Sequence, residues 1–498
     1  MIDRGEIENC TLKNVTFTNL SVRGNLEISN CEISNFTIED CRITTLSIKN
    51  CKINELLIRA NPEIRTISIV SNDIVGRLQI ESTSHTEVTT ENNKLCEAHF
   101  NLKNSFLKIR YSEDIKVQTV QIDGDIQSVE IKNLKGDSLI TSCNSPSITI
   151  AKSTLEECTI SSGASGIAHT TFKHCMIKKL NANAAGMRWH LFGTKVTEFN
   201  MKKVFQSMET DSLDGINSDF ESASFAGTTG VILLKQTTFK NLNLNNFVAG
   251  APSSLNSVKI TQNLYLENSI LEEAKFHDVN LNKTTIHFLN SSLSGTELIN
   301  VQWPRKHSFH EYKNKLKDRK AENKLEVLYP LKESYRQLKV LSLDQHNKID
   351  ALEFQKHELK IYWKIVNINT WHSFKLSNLG NWLILGTNHL FSDFGQSLSR
   401  PVLWLLAVHS FLIWRLLATH NLGVQLEIDP KFWDYNSTMT GIDLFLNLLS
   451  PVHDVKVKND FMKAEHSIFG TIDFFMRIAS GYFLYYFIRA TRKFNLSL

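Results

Sequence analysis

Seven residues of this 498-residue chain have the type and spacing to do chemistry. Cys10, Cys31 and Cys51 lie near the start, and Arg415, Asp473, Arg477 and Ser480 lie in two apolar runs near the end. Thiols in a row could ligate a metal or cycle between redox states. No CxxC pair or Cys/His spacing accompanies them, and cysteine also serves as a small apolar residue, so packing is their expected role. Charges inside an apolar run cannot face lipid cheaply and should turn toward a partner helix or a water-filled path. Asp473 and Arg477 are four apart and share a helix face that continues to Ser480. Arg415 falls near the outer end of the first run and is expected to pair with Asp473.

Other chemistry is hard to find. The chain has no Gly-rich phosphate loop, no metal-binding His pair at helical spacing and no nucleophile elbow, so neither an enzyme nor a bound cofactor or metal is expected. A hydrophobic share of 42%, a charged share of 21% and a net charge of +4 exclude a disordered chain, a collagen and a strongly basic nucleic-acid binder. No nucleic-acid partner is expected. The averages hide a division after Trp303, with about 29 basic and 33 acidic residues before it and about 26 and 18 after it. All eight cysteines precede that point. The start, MIDRGEIENC, carries no secretory pattern, which leads to the expectation of a cytoplasmic N-terminal part with free thiols.

The elements that must position these residues begin with a repeat. Apolar pairs recur every five residues: Leu26/Ile28, Cys31/Ile33, Phe36/Ile38, Cys41/Ile43, Leu46/Ile48, Cys51/Ile53 and Leu56/Ile58. A helix needs a period of 3.6 and an amphipathic strand needs unbroken alternation, so neither alone gives this beat. A four-sided β-solenoid does, with two inward residues per side and polar corners. Cys10, Cys31 and Cys51 then stack on one inner face as a thiol ladder. Looser pairs follow, such as Ile67/Ile69, Val120/Ile122 and Cys158/Ile160, and the stretch from Arg188 to Val204 could hold a bulge or short helix. Regularity returns from Phe239 through Leu281.

After Pro304 the beat stops and basic, helical sequence takes over up to Arg400, with breaks expected at Pro330 and between Asp344 and Asn347. Such a segment suits anionic lipid headgroups. Two apolar runs follow, Pro401 to Ala418 and Ile468 to Ile488, each long enough to cross a bilayer as a helix. The second is followed by Arg489, Arg492 and Lys493, and the intervening loop is acidic, so both chain ends are expected in the cytoplasm. Between the runs, the apolar stretch from Thr440 to Pro451 is too short to cross and could lie on or dip into the membrane. The expected domains are therefore a solenoid over 1–303, a basic connector over 304–400 and a transmembrane hairpin over 401–498.

The stretch AKFHDVNLNKT, residues 274–284, resembles the pentapeptide-repeat family, which implies a right-handed quadrilateral β-helix. The segment YRQLKVLSLDQHNKIDALEFQKHELK, with Ala351, Phe354 and Glu358, resembles a helical segment of bacterial pentapeptide-repeat proteins that continue into membrane helices. Span, short segment and span resemble the two-helix module of ion channels, although the TVGYG potassium filter is absent. These resemblances imply a multi-pass protein of the bacterial inner membrane. Two functions are expected from them: a membrane-anchored solenoid acting as scaffold or sensor for an unknown protein partner, or a homo-oligomeric, channel-like effector, as in phage defence, gated by the solenoid.

Overall fold

The computed structural model describes residues 2–304, 321–418, 449 and 467–495, except 61–63, 84, 112–114, 162–167, 184–186, 202–211, 226–228, 251–252 and 373–375. The chain divides into two units, Met1–Lys317 and Asp318–Leu498.

The first unit is a β-solenoid. Its strands run from β1 (Ile2–Glu8) to β28 (Glu297–Ile299), and most pair in parallel with a strand one coil away rather than with their sequence neighbour; the long strands Lys94–Arg110 and Lys116–Lys132 also pair with each other. Strand β4 (Glu32–Glu39) pairs with β6 (Lys52–Ala60), placing Phe36 beside Leu56 and Ile38 beside Ile58. Strand β5 (Arg42–Lys49) likewise stacks on β3 (Ser21–Ser29), with Leu26 beside Leu46. Backbone bonds thus run along the stack, and no coil satisfies its own polar groups.

The five-residue beat marks the inner wall. All fourteen residues of the seven regular pairs are at most 2% exposed. Ile67/Ile69, Val120/Ile122 and Cys158/Ile160 are equally buried, so the looser spacing lies in the connections and not in the core. The stretch expected to hold a bulge or helix instead continues the stack through strands Met187–Phe192 and Lys195–Met201. Its inner Trp189 lies flat against Phe172 one coil below, with ring centroids 6.4 Å apart.

Corners recur at every second beat in a left-handed backbone conformation. Asn9, Asn19, Asn30, Asp40 and Asn50 have φ between 51° and 55°. Asn and Asp tolerate this region better than other residues with a Cβ, because their short polar side chains bond locally. At several of these corners the inner residue that follows closes the turn. Asn72 accepts the Cys51 N–H through Oδ1 at 2.8 Å and donates through Nδ2 to the Ile48 carbonyl at 3.0 Å. Asn93 repeats the arrangement on Asn72 and Ile69. Ser153 accepts from Leu134, and Ser218 from Thr194, in the same way.

The second unit is helical. Helices α1 (Ala321–Asp344) and α2 (Lys348–His372) form a hairpin whose inner stripe includes Leu328, Tyr335, Leu338, Ala351, Phe354 and Ile365. The expected break at Asp344 to Asn347 is the turn between them, where Asn347 Oδ1 accepts the Asp350 N–H at 3.2 Å and caps α2. Pro330, also expected to break the chain, sits inside α1. Three further helices follow: α3 (Leu376–Ser392), α4 (Ser399–Ala418) and α5 (Ser467–Asn495). Helices are present where both spans were expected. Among the described residues, however, no helix is long and apolar enough to cross a membrane.

The corner geometry makes a clear prediction. Asn30→Gly should leave stability within about 0.5 kcal/mol, whereas Asn30→Val, β-branched at φ 54°, should cost about 1–2 kcal/mol. Denaturant unfolding of the three proteins checks this, and equal midpoints would refute the corner argument.

Candidate functional site

The first candidate is the cysteine row. Cys10 and Cys31 hold their sulfurs 3.1 Å apart on adjacent coils, and Cys51 Sγ lies 3.5 Å from the Cys31 backbone nitrogen. All three follow a left-handed corner, as Asn72 and Asn93 do above them. Two of the sulfurs also approach carbonyls of their own coil: Cys31 reaches Ser29 at 3.1 Å and Cys51 reaches Lys49 at 3.2 Å. The row is therefore the lower end of a spine in which Cys, Ser, Thr and Asn do the same work.

Its electrostatics oppose reactivity. The hydrogen bond with Cys31, followed by burial, pushes the Cys10 thiol up to about 11. Burial raises Cys51 and Cys41 and pushes Cys143 up to about 12. A thiol kept protonated is a poor nucleophile and a poor metal ligand. All eight cysteines are free.

The second candidate is the pair α4 and α5, which pack against each other. Ser480 is 1% exposed on α5 and His409 is fully buried on α4. Ser480 Oγ lies 2.9 Å from His409 Nε2, across 71 residues of sequence. His409 Nδ1 lies 2.9 Å from the Leu405 carbonyl one turn earlier. A carbonyl can only accept, so Nδ1 carries the proton in the neutral ring and Nε2 is an acceptor; Ser480 Oγ also stands 2.9 Å from the Met476 carbonyl, and its single proton is shared between that carbonyl and Nε2. The two polar groups satisfy each other inside the helix pair. Phe391 of α3 joins the assembly, packing edge-on against Trp404, Tyr482 and Phe483 at 5.1 to 5.7 Å between centroids.

Outside, the pair is apolar. Leu403, Phe411, Phe474, Phe475 and Ile478 are 51 to 63% exposed, and Ile384 on α3 is 61% exposed. This reverses the ordinary soluble arrangement, with the polar pair inside and large apolar groups outside.

Of the four polar residues expected to matter here, Ser480 faces the partner helix and Arg477 is half-buried. The side chains of Arg415 and Asp473 lie outside the described residues, so their expected pairing has no geometry to judge. The segment from Thr440 to Pro451 also lies outside them, apart from Leu449. His409 was missed. Its signal was available as the lone histidine in the run PVLWLLAVHSFLIWRLLA, where an uncompensated polar group would be costly. Helix α3, read only as part of a basic connector, was missed as an apolar element.

No protein-family model matches the chain, and no curated protein or solved structure matches it either.

Three outcomes follow. Alkylation of Cys10 should keep accelerating toward about pH 11, where an ordinary thiol levels off near 9, and Cys31→Val should bring its profile down. Cys51→Ser should keep the corner bonds and nearly full stability, whereas Cys51→Val should lose about 1–2 kcal/mol in denaturant unfolding. In the helix pair, Ser480→Ala or His409→Leu alone should each cost about 1–3 kcal/mol. The double variant should recover part of that loss, since neither polar group is then left buried alone. Additive losses in detergent-solubilised protein would show that the two do not act as a pair.

Proposed function

We propose that the chain is a membrane-anchored β-solenoid, in which the helical unit sits in the lipid bilayer and the coil stack serves as a scaffold or sensor for a protein partner. One observation carries the membrane reading: α4 and α5 bury their polar pair against each other and turn large apolar side chains outward. That arrangement suits a hydrocarbon solvent, in which an inward hydrogen bond holds helices together and an apolar exterior costs nothing. The sequence supports it with runs of 18 and 21 residues and with Arg489, Arg492 and Lys493 after the second. On this reading α4 and α5 cross the bacterial inner membrane with both chain ends in the cytoplasm.

The solenoid supports the partner reading by its geometry. Parallel coils present long outer rows of mixed charge, as where Arg59 bridges Glu39 at 2.6 Å and Glu81 at 3.3 Å across three coils. Exposed pairs of this kind add little stability, and they leave a regular surface suited to a protein contact. The right-handed, four-sided form of the pentapeptide-repeat family is the version of the coil we favour, on the strength of the five-residue beat.

The oligomeric channel is the second reading. Two helices cannot enclose a water path, so it requires several copies. The described side chains favour the anchor, because His409 and Ser480 satisfy each other within a single helix pair and do not need a neighbouring copy.

Fractionation separates these readings from their failure. The full chain should pellet with membranes, resist carbonate extraction and require detergent for release. Recovery in the aqueous fraction would overturn the membrane reading. Crosslinking in membranes followed by ion-flux assays on reconstituted protein should give no leak above that of empty vesicles. A leak abolished by Arg477→Gln would replace the anchor with the channel.

A further inference from the structure

The loop between α3 and α4 contains three successive residues in the left-handed region: Asp393 at φ 48°, Phe394 at 62° and Gly395 at 82°. Two of them carry a Cβ, so the conformation is costly and something must hold it. Phe394 is buried with Val366 and Leu385, and Ser392 Oγ accepts the Gly395 N–H at 3.0 Å. The result is to aim the Asp393 carboxylate inward, where it is 9% exposed as a residue.

Around it the chain gathers more positive charge than one carboxylate can balance. Lys356 and Lys360 of α2 lie 2.9 and 3.1 Å from its oxygens, and His389 and Arg400 lie at 3.6 and 3.9 Å. Arg489 of α5 passes beside Gly395, its Nε 3.3 Å from where a Cβ would stand. The other nearby acid is Glu353, 3.8 Å from Lys356. Four permanent cations from three helices therefore meet two carboxylates. Burial pushes Asp393 up, but bonds from Lys356 and Lys360 outweigh it and leave its carboxyl below the usual range.

Among the described residues the same place holds buried polar atoms without a hydrogen-bond partner, the acceptors Asn388 Oδ1 and Asp393 Oδ1 and, opposite to them in character, a donor. Trp363 Nε1 is a donor without an acceptor, and His389 Nδ1 lies beyond hydrogen-bond distance of Asp393. The two rings stand 4.9 Å apart. Trp363 Nε1 can only donate, and an orphaned donor of this kind calls for a partner from outside the chain. Beside an excess of lysine and arginine, the partner that fits is an oxyanion.

We infer that Trp363, His389, Lys360, Arg400 and Arg489 form a seat for a phosphate group, filled by the headgroup of an anionic phospholipid. The choice of lipid rests on the membrane reading above: Arg400 opens α4 and Arg489 falls in the last turns of α5, the ends that reading assigns to the cytoplasmic headgroup layer. Asp393 and its strained loop hold Lys356 and Lys360 in place so that the seat exists before the lipid arrives. Free inorganic phosphate shares the chemistry.

The test uses the full chain in a neutral detergent and follows its thermal unfolding as short-chain phosphatidylglycerol, phosphatidylcholine or inorganic phosphate is added. Phosphatidylglycerol should raise the midpoint in a saturable way, and zwitterionic phosphatidylcholine should not. Trp363→Phe, which removes the orphaned N–H together with part of the ring, and Arg400→Gln should each weaken that response about ten-fold. Each response is read as a shift from that variant's own midpoint without lipid, which separates lost binding from lost folding. An equal response to both lipids, or an undiminished response in both variants, would overturn the seat. Saturation by inorganic phosphate with no gain from phosphatidylglycerol would overturn the lipid assignment. Because the assay is run in detergent, it is independent of the fractionation that tests the membrane reading.

Discussion

A parallel stack can turn a corner only if the backbone N–H that points along the stack at the turn finds an acceptor in the next coil. At many corners of this solenoid that acceptor is a side chain. Cys51 offers its sulfur to the Cys31 nitrogen, Asn72 its amide oxygen to Cys51, and Asn93 to Asn72. The opposite corners obey the same rule where Ser105 serves Thr86, and Ser291 serves Ser269. Where a side chain serves in this way, replacing it by an aliphatic one would leave a buried donor unpaired, at a cost comparable to a sizeable share of a domain's net stability; Leu134, Val258 and Val279 follow corners that are closed otherwise. The constraint selects small side chains with a polar atom near the backbone. It explains why thiols, hydroxyls and amides alternate along one spine without any catalytic role.

The inner wall was legible in the sequence because it is set by repetition and not by identity. Two apolar residues per side must recur whatever they are, and Leu26 through Ile58 do so without a gap. Where a large aromatic took an inner place the pattern blurred. Trp189 made its stretch look like an interruption, although it lies flat on Phe172 and the strands continue. The corners were half legible. Asn9, Asn19 and Asn30 mark them openly, yet Ser71, Lys152, His174 and Gln236 adopt the same left-handed conformation. Residues of those types seldom prefer it, so the stack imposes it on them once the neighbouring coils are in register.

The helical unit was less legible, for a different reason. Arg415, Asp473, Arg477 and Ser480 stood out because polar groups in apolar runs are rare. The partner that Ser480 finds is a histidine 71 residues away, and no spacing rule joins two helices across a connection of that length. Pro330 was misjudged because, although a proline forfeits its own N–H bond and crowds the carbonyl one turn back, α1 buries Leu328, Leu331 and Tyr335 around it and continues through it. Helix α3 was hidden by the net charge of the segment around it.

The two units obey one rule in opposite solvents, if the helical one lives in lipid as proposed. The solenoid buries Leu46 and Ile48 and turns Lys49 and Glu27 outward, where they pair at 2.9 Å. The helix pair buries His409 and Ser480 and turns Leu403 and Phe475 outward. In both, these polar groups are paired, and what faces the solvent matches the solvent. This also bears on why no described helix is apolar enough to cross a membrane by its composition. A mean over a helix counts His409, Ser480 and Arg477 at full weight, whereas lipid meets only the outer face. A histidine whose two nitrogens are already bonded to Leu405 and Ser480 brings little of its polarity to that face. The exposed side of the pair, not its average, is the quantity that a bilayer would read.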